Sequence, residues 1–315
     1  MKWLERIEVN SLKEHLWNLA SDETVSVFEI ETFLRNFFKR KPLPLVDIVY
    51  ENYCRCSLNE KGEIFRTVGR CSFNPYIDSI KLQRCNYDKQ QVFYAAVPIQ
   101  AEIKCYGTSI LEVTWEHISN LYLNYYFVTL SRWITKRPLK VFFFPDLENQ
   151  KAIAQGVDFE KDMMETIGLS HQDIPFYLEV LTFFREVLGV KEDKKIWYKI
   201  SSAFYNCIMR FGQDEHQKID GMVYSSANTG KAGTNIVLNK ELIENHTIYC
   251  DYVQMLIAIR NSSDPTDIRF CSVSDGVTPN ADETFEIKLY PQFIEAFNNA
   301  PELNISAIID HPNTL

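Results

Sequence analysis

Apolar residues recur at helical spacing twice within residues 8–40, and the pattern predicts two helices there. The first follows a cap at Asn10-Ser11 and presents Leu12, Leu16 and Leu19. The second begins at Ser21-Asp22-Glu23-Thr24 and places Val27, Ile30, Leu34, Phe37 and Phe38 roughly on one face. Lys39-Arg40-Lys41 near its end suits the helix dipole, and Pro42 and Pro44 stop it. Further helices are predicted at Phe159–Ile167, at Ile174–Leu188 closed by Gly189, at Trp197–Ile208 and at Pro291–Phe297. In Trp197–Ile208 the apolar positions Ile200, Phe204 and Ile208 stand four apart, ahead of an exposed turn over 212–217.

Short apolar and β-branched runs predict strands at Glu63–Arg70, Gln91–Ala96, Leu139–Asp146, Ile219–Tyr224, Asn235–Leu238, Phe270–Val273 and Thr284–Leu289. Leu139–Asp146 is strongly apolar, ended by Pro145, and is expected to lie centrally in a sheet. Strands and helices together in this chain predict a mixed fold with flanking helices and a helical N-terminal extension. The expected organisation is an N-terminal extension over 1–45, a main domain over 46–250, and strands and a helix over 251–315 packed on that same domain.

Composition narrows the class. The 315 residues, 46% of them hydrophobic, include 21 Phe and 16 Tyr, enough for one large core or two small ones. A net charge of −9 argues against a nucleic-acid partner, which needs a basic face. Without an apolar run of membrane-spanning length or a signal-peptide core at Met1–Arg6, the expectation is a cytoplasmic protein with no membrane contact. The eight cysteines form no CxxC pair, and Cys54-Arg55-Cys56 is too tight for a zinc knuckle, so reduced thiols are expected. His171 and His216 sit in polar segments with no partner at metal spacing, and no metal is expected. Thr229–Asn235 lacks the register of a phosphate-binding P-loop, and no Rossmann glycine fingerprint occurs.

The chemistry concentrates at Gln83–Ala96, where a polar turn carrying Arg84, Asn86 and Asp88 runs into a strand holding Tyr94. A guanidinium at the mouth of a strand that carries an aromatic suits a phosphorylated, ring-bearing ligand. The stretch resembles the RES domain, whose signature is Arg-x-Asn followed by a strand ending in Tyr-x-Ala, here Arg84, Asn86, Tyr94 and Ala96. Thr108–Val113 resembles that family's Thr-x-x-x-Glu-Val helix start. Gly221–Ser226 with Gly233–Leu238 resembles its Gly-Ile-x-Tyr-x-Ser and Gly-x-Asn-x-Val-Leu block. The likeness covers about residues 50–245.

The resemblance implies an enzyme that consumes NAD as a substrate and needs no other cofactor, as RES-type toxins of toxin–antitoxin systems do. It implies an α+β class with a mainly antiparallel, ADP-ribosyltransferase-like sheet split around a ligand cleft. Cleaving the nicotinamide–ribose bond passes through an oxocarbenium-like state, which a carboxylate beside the ribose stabilises. Glu112 fills that role by resemblance, with Glu102 as rival; Arg66, with Arg55 as rival, and Arg84 grip the diphosphate. Tyr94 stacks on nicotinamide or its ribose, Ser226 hydrogen-bonds the ligand, and Asn86, Tyr224 and Asn235 complete the matched positions. Water as acceptor makes the enzyme a glycohydrolase, phosphate a phosphorylase, and a protein side chain an ADP-ribosyltransferase. An antitoxin protein is the partner the family implies, and a homo-oligomer is compatible with it. The contrasting reading is a non-catalytic binding protein on the same scaffold. A set of Arg84, Tyr94, Glu112 and Ser226 converging on a cleft favours the enzyme, and any of them pointing into the core favours the binding protein.

Overall fold

The second N-terminal helix starts where its capping chemistry dictates. Ser26 accepts from the Glu29 backbone N–H while the Glu29 carboxylate accepts from the Ser26 N–H at 2.7 Å, a reciprocal box that opens Val27–Phe38. The expected start at Ser21-Asp22 is instead the end of the first helix and the turn after it, where Asp22 binds Thr24. The computed structural model describes residues 6–39, 43–49, 52–60, 62–97, 109, 125–144, 174–190, 195–214, 218–227, 233–260 and 268–299.

Among these the α-helices are α1 Arg6–Ser21, α2 Val27–Phe38, α3 Val68–Ser72, α4 Ile174–Leu188, α5 Lys195–Asp214, α6 Glu241–Glu244 and α7 Pro291–Asn299. The strands are β1 Leu45–Ile48, β2 Tyr53–Leu58, β3 Phe93–Val97, β4 Tyr125–Thr135, β5 Leu139–Phe143, β6 Gly221–Ser225, β7 Thr234–Leu238, β8 Ile248–Arg260 and β9 Ile268–Ser272. They form one mixed sheet in the order β1-β5-β6-β7-β3-β2-β4-β8-β9, parallel only between β5 and β6. The α+β class and the mainly antiparallel sheet are therefore as expected.

Alternating side chains divide between the two faces. On one face Phe142, Met222, Tyr224 and Val237 meet the inward sides of α1, α2, α4 and α5. The N-terminal helices thus share a core with α4 and α5. On the other face Phe93, Val141, Val223, Ile236 and Leu238 meet Phe65, Val68 and Cys71 near α3, Leu242 of α6, and Phe293, Ala296 and Phe297 of α7. Strand β8 runs through position 250, so the boundary expected there falls inside a paired strand.

Three strand expectations are corrected. Glu63–Arg70 is not a strand: only Thr67 makes a bridge, to Thr284, before α3 begins. Thr284–Leu289 likewise pairs only at its two ends, Thr284 with Thr67 and Leu289 with Ser274. β5 lies one strand from the edge rather than centrally, because β1 closes the sheet beside it. Its apolar run, Val141-Phe142-Phe143, reflects burial on both faces, not central position. Helix α5 runs on to Asp214, into the expected 212–217 turn, and the predicted Phe159–Ile167 helix lies outside the described residues.

β3 pairs with β7 over five residues and β2 with β4 over six, and among the described residues β2 and β3 share one register pair, Cys54 with Ala96, with none between Arg55–Leu58 and Phe93–Ala95. The guanidinium of Arg55 spans this divergence. It donates from Nη1 to the Tyr94 carbonyl at 2.7 Å and from Nε to the Cys71 carbonyl at 3.1 Å.

Candidate functional site

Three matched residues, Tyr94, Tyr224 and Asn235, come together on the face covered by α1, α2, α4 and α5. Tyr224 stands directly opposite Asn235 across β6 and β7, and Asn235 in turn opposite Ala96 of β3. Tyr94, opposite Val237, is the diagonal neighbour of Asn235 on that face. Ser226 follows the last residue of β6; it is fully buried, and its N–H donates to the Gly233 carbonyl at 2.9 Å. Tyr224 and Asn235 are also buried.

The Tyr94 phenol is committed to the loop that precedes its strand. Its oxygen accepts from the Cys85 N–H at 2.9 Å and its hydroxyl donates to Asn86 Oδ1 at 3.0 Å. Asn86 is buried and spends its amide nitrogen on the carbonyls of Lys81 and Tyr87, both at 2.9 Å. Burial, reinforced by the neighbouring Cys85, holds the Tyr94 phenol well above its ordinary pKa, so it acts as a neutral donor. Tyr94 and Asn86 thus lock the turn closed by Gln83 and Asn86.

Arg84 is placed in that turn but turns outward to a helix end. Its Nη1 donates to the Leu188 carbonyl at 2.6 Å, at the last residue of α4, and its guanidinium lies 5.5 Å from the Tyr198 ring centre. A cation at a helix C-terminus satisfies an orphan carbonyl and the dipole together. This is a structural role that Arg-x-Asn spacing does not announce.

The two candidates for the first Arg lie on the same side of the sheet, the one opposite Tyr94 and Tyr224, and differ in burial and contacts. Arg66 is exposed, lies in the segment entering α3, and uses its carbonyl to accept from the Phe285 N–H at 3.0 Å. Its neighbours Phe65 and Val68 pack on the face opposite Tyr94 and Tyr224, so Arg66 does not join them. Arg55 is on a strand, β2, directly after Tyr53-Cys54, half-buried against Phe93 at 5.7 Å from the ring centre. Glu112, Glu102 and Thr108 lie outside the described residues, as do His171 and His216. Ser109 is helical and buried.

Sequence reasoning missed the contacts behind the loop. The Tyr87 hydroxyl donates to Glu31 of α2, and Gln90 Nε2 donates to Asn206 Oδ1 of α5 at 2.8 Å. The one signal available was a carboxylate at position 31 set between the inward residues Ile30 and Leu34.

An open groove of about 490 Å³ lies at the other end of β6, lined by Asp47, Arg137, Pro138, Lys140, Lys218, Asp220 and Thr247. Its charges are largely spent on one another: Arg137 forks onto Asp220 at 2.6 and 2.7 Å, and the Lys140 N–H donates to Asp220 at 2.9 Å. Among the described residues no group of three His, Cys, Asp or Glu could hold a metal, and no helix is long and apolar enough to cross a membrane. The seven cysteines among them are free thiols. Compared with known proteins, the chain matches no family model and no curated protein.

Proposed function

We propose that the protein consumes NAD, cleaving the nicotinamide–ribose bond as a glycohydrolase or phosphorylase in the manner of a RES-type toxin. The observation that carries this reading is the divergence of β2 from β3 with Arg55 across it. A planar fork bound to two neutral carbonyls gains by exchanging one for a diphosphate oxygen, a charge-assisted partner. On its strand position and carbonyl partners alone we favour Arg55 over Arg66 as the first Arg, both lying on the face opposite Tyr94 and Tyr224. Glu112 keeps its proposed role beside the ribose, Tyr224 and Asn235 stand on the two strands beyond β3, and Ser226 follows the end of β6. Tyr94 contributes by fixing the loop rather than by offering its hydroxyl to a ligand.

A second reading, a non-catalytic binding protein on the same scaffold, is favoured by a specific observation. Ser226 is fully buried, Tyr94 is hydrogen-bonded internally, and Arg84 caps α4. The deciding experiment incubates purified protein with NAD, with and without phosphate, and follows free nicotinamide beside Glu112→Ala, Glu102→Ala and Arg55→Lys. Release lost in Glu112→Ala and Arg55→Lys but kept in Glu102→Ala supports the enzyme, and phosphate dependence identifies the acceptor. Without release under any of these conditions the glycohydrolase and phosphorylase readings fall. Transfer of labelled ADP-ribose to a protein acceptor then separates an ADP-ribosyltransferase from the binding protein.

A further inference from the structure

A carboxylate with no exposed surface is costly unless charged and hydrogen-bonding partners surround it. Glu31 is such a group: it lies on the inward side of α2 between Ile30 and Leu34. Its partners come from two other elements. Arg210 of α5 brings Nε to 2.8 Å, and Tyr87 of the turn before β3 donates its hydroxyl.

The same side of α5 serves both neighbours. Lys199, Ala203, Asn206 and Arg210 follow helical spacing along one stripe. Lys199 donates to the carbonyls of Asp22 and Val25 at 2.8 and 2.9 Å, gripping the turn between α1 and α2. Asn206 takes Gln90, and Arg210 takes Glu31. From Tyr87 the bonds run inward. Its N–H donates to Gln90 Oε1 at 2.7 Å, its carbonyl accepts from Asn86, and Asn86 accepts from Tyr94. Within the same loop Lys89 holds φ +63°, a left-handed conformation a non-glycine residue keeps only when its surroundings fix it.

We infer that the N-terminal helix pair is a working part of the site, with Glu31 a positioning residue that fixes the Gln83–Gln90 loop, and through Asn86 the Tyr94 phenol, by way of Tyr87. The ligand that the loop serves rests on the NAD reading above; the positioning itself does not. Tyr87→Phe tests it, because the change cuts the link to the loop and leaves the Glu31–Arg210 ion pair in place.

Amide hydrogen exchange is measured on the full chain for wild type, Tyr87→Phe, Glu31→Gln and Glu31→Ala, with NAD kinetics alongside. Tyr87→Phe is expected to speed exchange across 81–94 about tenfold, the equivalent of one net hydrogen bond, with α2 and α5 unchanged. KM for NAD rises by a similar factor while kcat stays within about twofold, the split expected when binding geometry alone is disturbed. Glu31→Gln, whose amide oxygen still accepts from Tyr87, recovers loop protection relative to Glu31→Ala. Unchanged exchange over 81–94 in Tyr87→Phe, or loss confined to α2 and α5, overturns the inference and leaves Glu31 half of a structural ion pair. A wild-type chain that releases no nicotinamide refutes the NAD reading, and the exchange data then decide the positioning role alone.

Discussion

Arg55→Met is the perturbation that best probes the join at the middle of the sheet. Two hydrogen bonds from a charged donor disappear, to the Tyr94 and Cys71 carbonyls, each worth about 1.5–3 kcal/mol. The guanidinium 5.7 Å from the Phe93 ring centre adds about 0.5–1 kcal/mol. Their sum is an upper bound, because the half-buried site lets water reach the stranded carbonyls. A loss of about 2–4 kcal/mol follows. Arg55→Lys keeps the charge but replaces the rigid Nε and Nη1 donors with one flexible ammonium, so it loses roughly half as much, about 1–2 kcal/mol. Urea unfolding of both variants reads these values as midpoint shifts at unchanged slope. The NAD assay separates structure from chemistry: the proposed phosphate role requires Arg55→Lys to lose turnover in urea-free buffer, where it is still folded. Stability of Arg55→Met within about 0.5 kcal/mol of wild type would refute the claim that this side chain holds the two halves together.

Three further outcomes are expected. In Gly221→Ala the added Cβ would meet the Val237 carbonyl at 2.2 Å and Leu238 Cδ2 at 2.6 Å, so the β6–β7 pairing must shift. A loss above about 3 kcal/mol is expected on calorimetry, and a fully stable variant would show that the strands part easily. Phe204→Ala removes a buried ring stacked on Phe184 at 4.0 Å and costs about 3–5 kcal/mol in urea, whereas a cost under about 1 kcal/mol would mean the helix layer is loosely packed. Burial pushes the Cys56 and Cys250 thiols up to about 12, against about 8.5 in an unfolded chain. Only the unfolded state ionises between those values, so stability is complete below about pH 8.5 and falls as pH rises toward 12. Unfolding midpoints flat from pH 8.5 to 11 would contradict that assignment.

How much of this fold the sequence discloses depends on how a strand is buried. β3, β5, β6 and β7 were legible because both of their faces are apolar, leaving compact runs such as Val141-Phe142-Phe143. β2, Tyr53-Cys54-Arg55-Cys56-Ser57-Leu58, alternates instead, and its cysteines and polar residues carry no strong apolar signal. Glu63–Arg70 failed for the opposite reason. Ile64 and Phe65 look strand-like in isolation, but Phe65 is buried as a plug against α3, supported by Arg70 over its ring at 4.1 Å. Local propensity cannot tell a plug from a ladder.

The same physics explains why motif spacing places residues on elements and does not give their bonding partners. Motif spacing locates Arg84, Asn86 and Tyr94 correctly in one turn and one strand, yet spacing is silent on what a polar group bonds to. Buried polar atoms must be satisfied, and here the cheapest partners are one another: Tyr94 takes Asn86, and Arg84 takes the end of α4. A polar residue in a signature can therefore act by building the frame of a site rather than by touching its ligand. Arg55 differs from them in lying beside the one described β2–β3 pair, bonded to the Tyr94 and Cys71 carbonyls. Glu31 completes the distinction from a distance. Its carboxylate costs stability wherever it is buried alone, and the structure offsets that cost with the tyrosine of the very loop that anchors Tyr94. A helix pair outside the recognisable stretch is thereby tied to the loop inside it.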